Sequence, residues 1–336
     1  MRTFATWLFL LALVAVLRPA PAQAEVCQDG ELVIRFAHVV AARGHPKGEM
    51  ATALAARVNA EMDGKACMRV YPNSELFDDN AVMEALLMGE VQIAAPSLSK
   101  FEAYTLKYRL FDLPFLFEDM AAVNAFAYGS KGRELLRAME DVGFVGLGYL
   151  FNGLKQFSAT TPLLVPQDAQ GLAFRVQPSA VAVAMIEALG GTARRLPFKD
   201  VFAALERGVV DGQENTWSNI YTQRFFQVQN GVSETNHQLL AYLALTSKEW
   251  LDGLEPAVRI QFLSIFSEVL DSFNARAEAI NARSRQKIIE AGGTVRQLTP
   301  EERRAWVEAM KPVWDQFRDR IGQDMIDAAL AANGAG

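Results

Sequence analysis

The run GVVDGQENTW, Gly208 to Trp217, concentrates hydrogen-bonding side chains directly after a short apolar pair. Asp211, Gln213, Glu214 and Asn215 could hold a hard cation, supply carboxylates for acid–base chemistry, or cradle a small polar solute. A second candidate chemistry is cationic. Arg175 lies in GLAFRVQPS, inside an otherwise apolar strand. A guanidinium there must reach solvent or meet an anion, because a buried unpaired charge is costly. Its planar fork suits a carboxylate through two parallel hydrogen bonds. Lys155, in NGLKQFSAT, is likewise a cation beside an apolar strand, VGLGYLF.

The other chemistries find less support. The three histidines, His38, His45 and His237, share no ligand spacing. Asp78-Asp79 and the Asp211/Glu214 pair lack a D-x-D-x-D-G loop behind them, so no metal is expected. No G-x-S-x-G elbow is present. Asp211 and Glu214 stand too close in sequence to face each other across a cleft as a glycosidase pair does. A secreted hydrolase using those two acids is the distant alternative. GLGYLFNG, residues 146–153, does not match G-x-G-x-x-G, so no nucleotide cradle and no cofactor is expected.

The elements that must position these residues alternate. Leu32 to Val39 reads as a strand, Gly48 to Met62 as a helix, and Cys67 to Tyr71 as a strand stopped by Pro72. A helix over Asp79 to Met88 comes next, then a strand over Val91 to Ala95. Such alternation builds a parallel sheet with crossover helices. The order repeats further along the chain. LVIRFAHV (32–39) is echoed by LAFRVQPS (172–179), MRVYPNSELF (68–77) by ARRLPFKDVF (193–202), and EALLMGEVQIAA (84–95) by AALERGVVDGQE (203–214). Two lobes built on similar β-α-β-α-β cores are expected, with ligands bound beyond the carboxyl ends of the strands. From Pro256 to about Ile289 a single long helix is expected to run across both lobes as a strut, and one or two helices cover Pro300 to Leu330.

Arg2, the apolar run Phe4 to Leu17 and PAPAQA have the order of a signal peptide, so residues 1–24 are expected to be removed. That takes away Arg2 and Arg18 and leaves 31 basic against 39 acidic groups, a net charge of −8. A surface of that sign argues against nucleic acid and anionic membranes as partners. No later segment approaches the length of a membrane helix, so no membrane insertion is expected after cleavage. The remaining length is long for one hydrophobic core. Two cysteines, Cys27 and Cys67, exported to an oxidising compartment are expected to form a disulfide.

EALLMGEVQIAAPS, FDLPFLF, NGLKQFSAT, GLAFRVQPS and ERGVVDGQENTWSNIYTQRFFQVQ together carry a resemblance. From Ile34 to about Ile326 the chain resembles the periplasmic solute-binding proteins of tripartite ATP-independent periplasmic (TRAP) transporters, closest to the C4-dicarboxylate-binding DctP type. The resemblance implies a type II-like, two-lobed α/β binding protein. The expected division is 25–152 plus about 241–275 for the first lobe, and 153–240 plus about 276–336 for the second. It implies a periplasmic, non-enzymatic carrier that closes on a small organic acid and delivers it to membrane permease subunits. Arg175 would make the bidentate salt bridge to the ligand carboxylate, Asn215 would bind the same group, and Phe198 would pack on the ligand. Where sialic-acid-binding members carry a second arginine and an acidic residue, this chain has Lys155 and Ser97, which favours a smaller, more anionic ligand. His38, Lys47 and Lys100 would meet the distal carboxylate. A uronate or another small acid such as malonate is the alternative ligand.

Overall fold

The computed structural model describes residues 27–334; the expected signal peptide lies outside them. Among the described residues eleven strands, β1 (Leu32–Ala37), β2 (Ala66–Tyr71), β3 (Ile93–Ala94), β4 (Phe144–Leu154), β5 (Gln156–Ala159), β6 (Ala173–Val176), β7 (Thr192–Arg195), β8 (Gly212–Asn215), β9 (Gly231–Glu234), β10 (Leu239–Ser247) and β11 (Val295–Gln297), form two sheets. The first has five strands in the order β2-β1-β3-β10-β4; the second has six, in the order β11-β9-β5-β8-β6-β7. Helices cover both, which gives the two-lobed α/β architecture.

The internal echo is a structural repeat. In the first sheet β1 lies between β2 and β3 and pairs with both in parallel. In the second, β6 lies between β7 and β8 in the same way. The strands that complete each sheet are exchanged between the halves of the chain. β10 runs antiparallel to β3 and β4, while β5 runs antiparallel to β8 and β9. The chain therefore crosses between sheets at Leu154–Gln156 and again between Glu234 and Leu239. The two crossings are tied together: Lys155 N donates to the Gln238 carbonyl at 2.7 Å and His237 N to the Lys155 carbonyl at 3.2 Å.

Two expectations about elements change. The polar run after Val209-Val210 does not mark the end of a strand; Gly212–Asn215 is itself the strand, buried throughout. Its polar side chains belong inside, and Gly212 is needed because a Cβ there would meet the Phe174 ring and the Ser158 carbonyl, both at 2.5 Å. Cys67 lies within β2, as the strand expected over Cys67 to Tyr71 requires, opposite Val33, and is bonded to Cys27 with the Cα atoms 5.5 Å apart. The expected single long helix is two, Pro256–Asn274 and Ala277–Glu290. At the join the Arg276 N–H reaches back to Phe273, three residues instead of four, before the regular pattern resumes with Ile280 to Arg276.

That join has a cause in β4, the outermost strand of its sheet. The Asn274 side chain accepts from Phe151 N at 2.9 Å and donates to the Tyr149 carbonyl at 2.8 Å, so it satisfies the strand's open edge. Asn281 does the same one element later, donating to the Asn152 carbonyl at 2.6 Å. GLGYLFNG supplies the close approach: a Cβ on Gly148 would lie 2.3 Å from Leu270 Cδ2. The first helix of the pair packs on Pro46–Glu61 and β4, the second on β4 and Trp217–Thr222, so the pair still runs across both lobes. The last two helices, Pro300–Ile321 and Gln323–Ala332, are separated at Gly322, and the final one packs on Met120–Ala127.

Candidate functional site

Parallel strands of both sheets end at one small cavity. From the second sheet and its helices come Arg175, Gln177, Phe198, Asn215 and Asn219; facing them are Val39, Val40, Asp79, Lys100, Leu240 and Tyr242. Arg175 is fully buried on β6. Its Nε and Nη2 both donate to the Leu196 carbonyl, at 3.1 and 2.9 Å. This fixes the plane of the guanidinium and leaves its other edge, Nη1 with the second hydrogen of Nη2, as the bidentate donor pair. Burial pulls its pKa down to about 10, against support from Glu214 and Asp79, so it is charged at neutral pH. The guanidinium carbon lies 5.9 Å from the centre of the Phe198 ring.

Asn215 is the last residue of β8. Its Oδ1 accepts from Asn219 Nδ2 at 2.6 Å and from Thr216 N at 3.2 Å. With the oxygen so engaged, its Nδ2 is left as a donor on the same side of the cavity as Arg175. Across the cavity Lys100 donates to Asn80 Oδ1 at 2.9 Å. Burial lowers its pKa, Asp79 opposes that, and Arg175 adds to it. At the rim Lys199 and Asp78 approach to 4.0 Å from opposite sides. The arrangement is two cationic groups facing each other, with amide donors and an aromatic wall between them. It can bind an anion at each end.

Of the expected site residues, Arg175, Asn215, Phe198 and Lys100 are brought together here. Four others are not. Lys155 sits at a crossing between the sheets, where its ammonium lies 2.8 Å from Glu214 and donates to Gln238 at 2.6 Å and Gln177 at 3.1 Å. Its charge is matched inside the protein, so a contact with the cavity gives way to a structural ion pair. Burial would raise the Glu214 pKa, but Lys155 and His237 outweigh it and hold the carboxylate below its ordinary range. Ser97 is buried against Ser99, which donates to Asp112 Oδ1 at 2.7 Å. Lys47 is wholly buried behind Tyr242, its ammonium 3.7 Å from that ring's centre and donating to the Ala95 carbonyl at 2.8 Å. His38 is buried beside it, with neither ring nitrogen hydrogen-bonded, and burial followed by Lys47 lowers its pKa to about 3.

The hydrolase alternative fails on geometry. Asp211 Oδ2 accepts from Ala173 N at 2.7 Å and so holds β6 against β8, while Glu214 is spent on Lys155. Neither carboxylate lines the cavity.

The sequence profile described as "Bacterial extracellular solute-binding protein, family 7", DctP, matches residues 36–320. The chain belongs to this family. Among its relatives is the C4-dicarboxylate-binding periplasmic protein DctP of Vibrio cholerae, 55% identical over 307 residues, 91% of this chain and 92% of that one. A TRAP periplasmic solute-binding protein of Shewanella oneidensis, solved with bound succinate, superposes with a TM-score of 0.89 at 45% identity, covering 90% of this chain and 99% of the other. A Pseudomonas aeruginosa counterpart with bound L-malate gives 0.83 at 44% identity, with 85% and 99% covered. The resemblance to TRAP solute-binding proteins carried by GLAFRVQPS and the DGQEN segment is thereby shown.

Knowing the family does not account for every wall of the DctP cavity. Asp79, Gln177, Asn219, Leu240 and Tyr242 line it without having been singled out as ligand contacts. Two of them carried a signal. Gln177 is two residues from Arg175, and Asn219 is one helical turn beyond Asn215. Tyr242 and Leu240 alternate on β10, a strand whose place beside β3 no local pattern reveals. Among the described residues no helix is long and apolar enough to cross a membrane.

Proposed function

We propose that this DctP-family protein captures a C4-dicarboxylate such as succinate, malate or fumarate in the periplasm, after removal of its leader, and delivers it to TRAP permease subunits in the membrane. The observation that carries the reading is the cavity shared by Arg175 from one lobe and Lys100 from the other. One carboxylate of the ligand takes the free edge of Arg175 and the Asn215 amide. Phe198 packs on the carbon chain, and Lys100 meets the second carboxylate. The names and bound ligands of the relatives above agree with this chemistry. The lobes hinge at Leu154–Gln156 and Thr235–Gln238, and the final helix moves with the lobe that contains Met120–Ala127.

Titration calorimetry with succinate, malate, fumarate, malonate and a uronate tests the assignment. A C4-dicarboxylate should bind most tightly. Arg175→Ala should lose about 2–5 kcal/mol, since removing one partner of a buried charge pair strands the other. A uronate that bound more tightly than every C4 acid would move the ligand class, and unchanged succinate affinity in Arg175→Ala would remove Arg175 from the site.

A further inference from the structure

The charges around the cavity do not balance against a dicarboxylate if only its walls are counted. Among the lining residues Arg175 and Lys100 are cationic and Asp79 is anionic, a net of one positive charge. A C4-dicarboxylate brings two negative charges into a buried space, where an unmatched charge is expensive. The next ionisable groups outward are Lys47, His38, His45, the Lys155–Glu214 pair with the buried Asp112 near it, and the Lys199–Asp78 pair at the rim. Each pair cancels itself, at 2.8 and 4.0 Å, and burial pushes the Asp112 carboxyl above its ordinary pKa while Ser99 donates to it. His45 accepts from Lys47 N through Nδ1 at 3.1 Å, which keeps that nitrogen unprotonated, and its Nε2 lies among the Asn152 and Tyr242 side-chain groups. Burial and then Lys47 keep His38 neutral, against the smaller opposing influence of the Val40 backbone, and no side chain pairs with its ring.

Lys47 is different. It is wholly buried, and its ammonium is held by one carbonyl and one aromatic face, those of Ala95 and Tyr242. Among the described residues no carboxylate lies within ion-pair distance of it. The ring whose face it covers is a wall of the cavity. A buried cation kept without an ion-pair partner is costly to the ligand-free fold, and the cost is offset when an anion enters nearby.

Resting on the dicarboxylate reading, we infer that Lys47 is a specificity-determining residue that touches no ligand. From behind Tyr242 it supplies the second uncompensated positive charge, so that the cavity selects a dianion over a monoanion of the same length. The residue acts through the field in the low-dielectric interior, and Tyr242 screens it far less than water would.

The test compares succinate with butyrate, which keeps one carboxylate and the chain length, on the wild-type protein, Lys47→Met and Lys47→Gln. Methionine keeps the apolar stem of the side chain without its charge; glutamine, one atom shorter than lysine, keeps an N–H donor on the side of the Ala95 carbonyl, so at least one fold should survive. Circular dichroism and melting of the ligand-free proteins check this. Both variants should bind succinate about tenfold or more weakly, about 1.4 kcal/mol, with butyrate affinity changed little. The discrimination between the two acids should therefore collapse. Equal losses for both ligands would mean that Lys47 only shapes the cavity, and unchanged succinate binding would mean that its charge does not reach the ligand; either result overturns the inference. Failure of the wild-type protein to bind any dicarboxylate would instead overturn the functional reading on which it rests.

Discussion

The buried cations of this protein are organised by what each is matched to. Arg175 is anchored on one edge by a carbonyl, Lys155 is neutralised by Glu214, and Lys47 has a carbonyl and a ring. The last case makes a stability prediction with a definite sign. Burial pulls the Lys47 pKa from 10.5 to about 8, partly resisted by Asp79 and reinforced by Lys100. The neighbouring rings do not titrate in the same window, since burial holds both His38 and His45 well below their ordinary value and pushes Tyr242 upward. Between pH 8 and about 10 the unfolded chain keeps the Lys47 proton and the folded one gives it up, so unfolding takes up a proton and stability rises with pH. The penalty of burying the ammonium is fully present below pH 8 and fades above it. Lys100, also lowered, works in the same direction, so the informative quantity is the difference between Lys47→Met and wild type in denaturant melts without ligand. Lys47→Met should be the more stable protein at about pH 7, and its advantage should shrink toward about pH 10. An advantage that stays constant across that range would mean that the folded protein holds the Lys47 proton as tightly as the unfolded chain does, so that burial does not lower its pKa.

At the scale of elements, the parts that were legible in the sequence are those whose pattern is local. The strands around Arg175 and Arg35, the helices that come after them and the repeat linking the two halves all arise from apolar periodicity and proline stops. What was not legible depends on pairing at a distance. GQEN is polar, so it reads as the end of a strand; it becomes a central strand only because β5 and β6 flank it and supply its partners. The long-helix expectation missed its join because the cause is the open edge of β4, which Asn274 and Asn281 satisfy. Lys155 looked like a ligand contact because its partner, Glu214, is far along the chain yet directly across the β5–β8 region in space. The strand-centre role of Gly212 can be tested. Gly212→Ala places a Cβ against the Phe174 ring and the Ser158 carbonyl at 2.5 Å, and the carbonyl belongs to β5 backbone that cannot rotate away. It should cost about 1–3 kcal/mol or more by overpacking. Because β6 carries Arg175, it should also weaken dicarboxylate binding. A chemical melt and a titration on one preparation measure both, and a variant with wild-type values of each would show that this sheet yields more easily than its packing implies.

At the scale of the molecule, the exchange of β5 and β10 between the sheets joins the lobes through two short crossings, while the broken helix pair lies across them. A ligand can close such a molecule only by binding the closed form better than the open one. On the proposed dicarboxylate reading, that difference is expected from the wall opposite Arg175, above all from Lys100, which lines it. Removing Lys100 should therefore do something that removing Arg175 does not. In Arg175→Ala the first carboxylate has no anchor, so neither binding nor closure is expected. In Lys100→Met the Arg175, Asn215 and Phe198 half of the site remains, and weak binding should persist without the gain that draws the lobes together. Small-angle scattering with and without saturating succinate separates the cases: the wild-type radius of gyration should fall on binding, while that of Lys100→Met should stay at its ligand-free value even where calorimetry shows the site filled. Compaction of Lys100→Met equal to that of wild type would place the closing contacts elsewhere, with the Lys199–Asp78 approach at the rim the next to remove. Loss of all binding in Lys100→Met would show that the two halves of the site cannot hold a ligand separately.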